Sequence, residues 1–128
     1  GITLKADLSA KEVELNDVSA LIIPGGYAPD KMRKNKDMVD VVRKIYLQGG
    51  VVAAICHGPW MLVEADAIKD KKGTGASSIS TDLKNAGGSF VDCEVVISGN
   101  IITSRGPDDL PVFCKSIIGL ISQKVQNN

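Results

Sequence analysis

Val51-Val52-Ala53-Ala54-Ile55-Cys56-His57-Gly58-Pro59-Trp60 is the stretch that decides the fold of this chain. Five apolar residues follow one another without a polar interruption, the pattern of a strand buried on both faces. The run stops at a cysteine, and a histidine follows at once. A helical stretch is then expected from Pro59 to Ala65, with the proline near the first helical position, where its missing N–H costs little. His57 is the only histidine among 128 residues. Acid–base work by an unperturbed imidazole near neutral pH therefore falls to His57. Cys56, beside it, is the obvious nucleophile.

Working outward, Asp37 to Gln48 places Met38, Val41, Val42 and Ile45 at i, i+3, i+4, i+7, the stripe of a helix, which Gly49-Gly50 closes. Ala20-Leu21-Ile22-Ile23 is a compact apolar run stopped by Pro24-Gly25-Gly26, so it reads as a buried strand and a loop. Ile2 to Ala6 alternates apolar and polar residues as a strand does. Downstream, Lys69 to Gly75 reads as an exposed connection. Ser80 caps a short helix through Asn85, which Gly87-Gly88 ends. Val91–Ile97 and Ile101–Ser104 flank Ser98-Gly99-Asn100, a hairpin turn. Pro107 or Asp108 opens the last helix, and Gln126-Asn127-Asn128 reads as a frayed tail. This alternation predicts one α/β domain over residues 1–128, with a mostly parallel sheet and a late antiparallel hairpin.

Composition narrows the function classes. Lys plus Arg number 15 and Asp plus Glu number 15, so the formal net charge is zero. That balance argues against a nucleic-acid or anionic-membrane partner, since both call for a positive surface. Aromatic residues make up 4 % of the chain, too few for a base-stacking platform. No apolar run approaches the roughly 20 residues of a membrane span. The opening Gly1-Ile2-Thr3-Leu4-Lys5 has no basic flank and no long apolar core, so no signal peptide is expected. Cys56, Cys93 and Cys114 are odd in number and widely spaced. A disulfide framework is disfavoured and a reducing cytoplasm favoured. With no CxxC and no second histidine, neither a metal site nor a cofactor is expected.

In open α/β sheets, ligands bind beyond the carboxyl ends of the strands. Cys56 lies at such an end, ahead of a helix whose free N–H groups and dipole favour a thiolate. Thiol-based acyl transfer also needs donors for the developing oxyanion. Gly25 and Gly26, at the end of the preceding strand, and the N–H of His57 are the candidates, following the logic of a nucleophile elbow. Cys93, on a strand, and Cys114, on a helix, read as small buried hydrophobes. Arg105 follows a strand end. It either faces the same crevice and binds a substrate carboxylate or is a solvated surface residue. Asp108 and Asp109 read as helix-start residues rather than acid catalysts. Asp30 is a loop carboxylate to which spacing alone gives no role.

Leu21-Ile22-Ile23-Pro24-Gly25-Gly26, Ala54-Ile55-Cys56-His57-Gly58-Pro59 and Thr103-Ser104-Arg105-Gly106-Pro107-Asp108-Asp109-Leu110, in that order and spacing, resemble the ThiJ/PfpI family, closest to its intracellular-protease (PfpI-like) branch. The resemblance implies a flavodoxin-like α/β sandwich with helices on both faces of the sheet, assembled as a dimer or hexamer. It implies that Cys56 is the nucleophile and His57 its partner. Gly25, Gly26 and the N–H of His57 would be the oxyanion donors. It also implies a carboxylate at Asp30 that reaches the histidine of a neighbouring subunit, one methylene shorter than the glutamate common in the family. Family members open with a strand, a helix and another strand, and a glutamate after the first strand hydrogen-bonds the cysteine. This chain starts near the third strand, so the domain is expected to be N-terminally incomplete, with a gap in the sheet. The function implied is a cysteine-dependent hydrolase of peptide or amide bonds. The alternatives are a glyoxalase or deglycase acting on methylglyoxal adducts, and a non-catalytic redox sensor or stress-protective chaperone. A glutamine amidotransferase is disfavoured, because its histidine lies far downstream of the cysteine.

Overall fold

A strand apolar at every position must be covered on both sides, and Val51–Ile55 is buried at all five residues. In the computed structural model, which describes residues 3–126, the elements around it run in the following order. Strand β1 (Ala20–Ile23) is followed by a one-turn helix α1 (Ala28–Met32) and by α2 (Lys36–Leu47). Then come β2 (Val51–Ile55), the short α3 (Trp60–Glu64), β3 (Lys72–Gly73) and α4 (Ser80–Asn85). The chain closes with β4 (Ser89–Phe90), β5 (Val96–Ser98), β6 (Ile101–Ser104) and α5 (Leu110–Gln126). The main sheet has the order β1-β2-β6-β5. Its first three strands are parallel, and β5 pairs antiparallel with β6 through the expected hairpin. β3 and β4 form a separate parallel pair.

The period of 2 along β2 divides its side chains between two cores. Val52 and Ala54 pack with Ile23, Val42, Ile45, Leu62 and Leu83 on the side of α2, α3 and α4. Val51, Ala53 and Ile55 pack with Ile102, Phe113 and Ile117 under α5. Helices therefore cover both faces, as expected of a flavodoxin-like sandwich. Helix α2 is started by Asn35, whose side chain accepts hydrogen bonds from the N–H groups of Asp37 and Met38 at 3.0 and 3.2 Å. Its buried stripe is Val39, Val42 and Ile45. Met38, expected on that stripe, is turned partly to solvent.

Several expectations need correction. Thr3 to Ala6 is irregular rather than a strand, and Ile2 lies outside the described residues. β1 is an edge strand, so it is not fully buried. Ile22 is 56 % exposed, because it points to the α5 side of the sheet and α5 packs over β2 and β6. The anticipated gap is not there: β1 pairs directly with β2, Ile23 opposite Ala54. The connection from Lys69 to Gly75 is exposed only at first, since Gly73, Thr74 and Gly75 are buried and Lys72–Gly73 is a strand. Ser80 is the first helical residue of α4 and makes no cap hydrogen bond, because a 3-10 turn, Ser77–Ile79, leads straight into the helix. Residues 91–95 leave the sheet, since Asp92, Cys93 and Glu94 are polar or small and face water. Gln126 still belongs to α5, and Asn127 and Asn128 lie outside the described residues. Among the described residues no helix is long and apolar enough to cross a membrane.

Candidate active site

At the end of β2 the chain leaves the sheet abruptly. Cys56 has φ +62°, in the left-handed region that non-glycine residues avoid. Such a conformation costs on the order of 1–3 kcal/mol and persists only where the surroundings enforce it. Here they do. The N–H of Cys56 donates to the Ser104 carbonyl at 3.1 Å, and its own carbonyl accepts from the N–H of Ala76 at 2.8 Å. The N–H of Gly58 closes the turn on the Ile55 carbonyl at 2.8 Å. Two glycines allow the close approach. A Cβ on Gly25 would lie 2.7 Å from the Cβ of Cys56, and one on Gly58 would lie 2.6 Å from the Ile23 carbonyl oxygen.

This turn brings the sulfur to the imidazole. Cys56 Sγ is 3.3 Å from His57 Nδ1, and both residues are half-buried. The other ring nitrogen, Nε2, is 3.1 Å from Ser78 Oγ. Trp60 meets the imidazole edge-on at 5.1 Å between ring centroids. Trp60 is itself fixed, because its indole N–H donates to Asp82 at 2.9 Å and the Arg33 guanidinium lies 5.4 Å from its ring centroid. Arg33 is paired with Glu64 at 2.9 Å. The helix after the turn is shorter than expected: α3 begins at Trp60, Pro59 precedes it, and it ends at Glu64. A single turn separated from Cys56 by three residues has little dipole to offer. The backbone turn and the imidazole dominate the sulfur's surroundings.

Gly25 lies against the sulfur, since a Cβ there would be 3.4 Å from Sγ. Gly26, at φ +76°, turns the chain away toward α1. Among the described residues, the N–H groups of Gly25, Gly26 and His57 donate to no backbone carbonyl. Asp30 sits in α1 rather than in a loop, exposed and without an ion-pair partner among the described residues. No hydrogen bond links it to Cys56 or His57 within this chain.

Arg105 is held by carboxylates. Its Nε and Nη2 donate to Asp109 at 2.9 and 3.0 Å, and Nη1 donates to Asp92 at 2.9 Å. Asp109 is 4 % exposed and also accepts from the backbone N–H of Arg105. The hydrogen bonds that Arg105 donates hold the Asp109 carboxyl below the usual carboxylate range, and donating to Asp109 and Asp92 raises the pKa of the guanidinium further. Asp109 is thus a helix-start residue with a structural partner, and Asp108 is exposed beside it. Cys93 and Cys114, expected to be buried, are both exposed; Cys93 sits in the bend that leaves the sheet, and Cys114 on the outer side of α5.

Sequence reasoning missed Ser78. It is 21 residues from His57 and belongs to no motif. The available signal was the run of small residues Gly73-Thr74-Gly75-Ala76-Ser77-Ser78, which lets this segment pack on the elbow: a Cβ on Gly75 would lie 3.0 Å from the Cys56 carbonyl oxygen. Among the described residues no group of three His, Cys, Asp or Glu side chains could hold a metal ion.

The DJ-1/PfpI family pattern matches residues 1–120. The deglycase PfpI of Pyrococcus furiosus is 40 % identical over 121 residues, which cover 94 % of this chain and 73 % of that protein. YraA of Bacillus subtilis, named as a candidate cysteine protease, is 41 % identical over 121 residues, covering 94 % of this chain and 72 % of the relative. A two-domain protein of Anabaena variabilis, with DJ-1/ThiJ/PfpI-like and ferritin-like domains, superposes with a TM-score of 0.92 at 42 % identity. That match covers 94 % of this chain but only 35 % of the two-domain chain.

Proposed function

The chain belongs to the DJ-1/PfpI family, and from that premise we propose that it is a thiol enzyme of the deglycase type, with Cys56 as nucleophile and His57 as its proton partner. The observation that carries this is the 3.3 Å approach of Cys56 Sγ to His57 Nδ1 at a residue forced to φ +62°. The deglycase relative, at 40 % identity, supports the substrate class.

The chemistry follows from the geometry. Nδ1 takes the thiol proton, and the sulfur attacks an electrophilic carbon. At the hemiaminal carbon of a methylglyoxal–amine adduct, the C–S bond forms as the C–N bond breaks. The amine leaves with the proton held on Nδ1. At a carbonyl carbon, the electron pair of the C=O bond moves to oxygen. The N–H groups of Gly25, Gly26 and His57 are the donors we assign to it. Asp30, exposed and unpaired within the described residues, is the carboxylate we assign to the neighbourhood of His57 in a second copy, in a dimer or hexamer, where its charge favours the imidazolium without taking the nitrogen that faces Ser78. Arg105 is engaged by Asp109 and Asp92, so we assign it no substrate carboxylate.

Peptide or amide hydrolysis is the second reading, favoured by the name of the YraA relative. The same thiol would attack the amide carbonyl, and the tetrahedral intermediate would expel the amine. Free thiols at all three cysteines fit a reducing compartment such as the cytoplasm.

The test compares wild type with Cys56→Ala on three substrates: a methylglyoxal-treated amino acid, a peptide amide and hydrogen peroxide. Amine release from the first, lost by at least about a thousandfold in Cys56→Ala, is the expected result. Turnover of the amide alone would select the peptidase. Stoichiometric peroxide consumption with no turnover would leave a redox sensor.

A further inference from the structure

Apart from Cys56, the side chain that hydrogen-bonds the His57 ring among the described residues is Ser78, through Nε2 at 3.1 Å. We propose that Ser78 is a positioning residue: its hydroxyl oxygen accepts the Nε2 proton of His57, which leaves the Nδ1 lone pair directed at the Cys56 thiol. This role deepens the thiol-enzyme function proposed above and rests on it.

A neutral imidazole carries one proton, and its position decides which nitrogen can act as a base. With the proton on Nδ1, the ring faces Sγ with a donor and cannot take the thiol proton. An acceptor at Nε2 favours the opposite tautomer. Once Nδ1 has taken the proton, the imidazolium donates from both nitrogens, and Ser78 Oγ accepts from Nε2 as before. The hydroxyl therefore supports the ring before and after proton transfer and opposes only the unproductive form. In hydrolase triads a carboxylate does this work.

Ser78 is placed by the same contacts that force the elbow. The N–H of Ala76, two residues earlier, donates to the Cys56 carbonyl at 2.8 Å. Ile79, one residue later, is fully buried, and its N–H donates to the Ala76 carbonyl at 3.0 Å. The Trp60–Asp82 hydrogen bond, 2.9 Å long, ties α3 to α4 on the far side of the ring. Ser78 thus sits on a short turn fixed at both ends, though its own side chain faces water. Beyond the ring, Arg33 and Asp82 contact Trp60 and Glu64 pairs with Arg33; among the described residues none of the three hydrogen-bonds either ring nitrogen. Asp30 of a second copy is the one competitor for Nε2 raised by the proposed function.

Because His57 is the only histidine, its imidazole ¹⁵N signals need no assignment among others. In a Cys56→Ala background, the ring is expected to be mainly the Nε2–H tautomer. Ser78→Ala should shift it toward a mixture, and Ser78→Thr should preserve it. With Cys56 present, Ser78→Ala should move the pH profile of Cys56 alkylation upward and slow alkylation at pH 7 by about threefold to tenfold, with recovery in Ser78→Thr. A purely structural role would change melting temperature without moving the tautomer ratio or the pH profile. Unchanged tautomer and profile in Ser78→Ala would overturn the proposal. So would a silent Ser78→Ala alongside an Asp30→Asn variant that moves both, since Nε2 would then belong to the carboxylate. Failure of the wild-type protein to turn over any substrate would refute the enzyme function instead, and the tautomer measurement would still decide the role of Ser78.

Discussion

Two strand-to-helix turns lie side by side at the carboxyl edge of the sheet, and they are built on opposite principles. At the end of β6, Arg105, Asp109 and Asp92 satisfy one another, and Gly106 is simply extended at φ −178°. At the end of β2, the neighbouring turn holds Cys56 at φ +62°, and among the described residues its thiol, imidazole and adjacent N–H groups hydrogen-bond to no charged side chain. The two are stitched together by the hydrogen bond from the Cys56 N–H to the Ser104 carbonyl. One turn stabilises the edge by committing its polar groups. The other pairs its thiol with the imidazole and the imidazole with Ser78, leaves the Gly25, Gly26 and His57 N–H groups without a backbone acceptor among the described residues, and tolerates strain to aim them. Reactivity and stability are thereby separated by one strand spacing.

The contrast can be broken from the reactive side first. Gly25→Ala adds a methyl group 2.7 Å from the Cys56 Cβ, so the turn must shift. A displacement of that kind is expected to lower turnover about a hundredfold, read as kcat/KM on the substrate that proves active. On the stable side, Asp109→Ala leaves the Arg105 guanidinium with Asp92 alone. We expect a loss of about 2 kcal/mol in urea unfolding, with Cys56 alkylation unchanged. Asp109 also sets an acid limit. Its carboxyl titrates below the usual range in the folded state, so its stabilisation is complete above the ordinary carboxylate pKa. It is lost as pH falls through the lower folded value. Asp109→Asn should flatten the acid side of the stability–pH curve.

Smaller effects sharpen the same contrast. Cys56→Gly relieves the left-handed backbone and should stabilise the chain by about 1 kcal/mol while abolishing activity. That opposite movement of stability and activity is the signature of strain held for function. Ser104, between the two turns, is fully buried, and its Oγ has no hydrogen-bond partner among the described residues. Ser104→Ala should therefore stay within about 0.5 kcal/mol of wild type in thermal or urea unfolding.

How much of this was legible follows from range along the chain. β2, α2 and the turn at Gly99 are written in local patterns, and they form within a residue of the bounds read, although the strand that enters the turn is only Val96–Ser98. The elbow was also legible, because Cys56 and His57 are adjacent and the Gly25-Gly26 turn ends the strand paired next to β2. What failed involved distant partners. β1 reads as buried from its composition, yet its edge position, which exposes Ile22, is set by sheet order. Arg105 looked free because Asp92 is 13 residues away and Asp109 already looked explained as a helix start. Ser78 was invisible because its partner lies 21 residues upstream and no spacing rule connects them. Cys93 and Cys114 read as buried by residue type, while their elements turn them outward.

That last correction supplies the most direct measurement. Iodoacetamide labelling of the native protein at pH 7, resolved by peptide mass, ranks the three cysteines. Exposure alone would put Cys93 and Cys114 first, since both face water and Cys56 is half-buried. The account predicts the reverse order, with Cys56 labelled about tenfold faster or more, because its sulfur lies 3.3 Å from an imidazole nitrogen that can take its proton as it attacks. Labelling in the order of exposure, with Cys56 slowest, would contradict it.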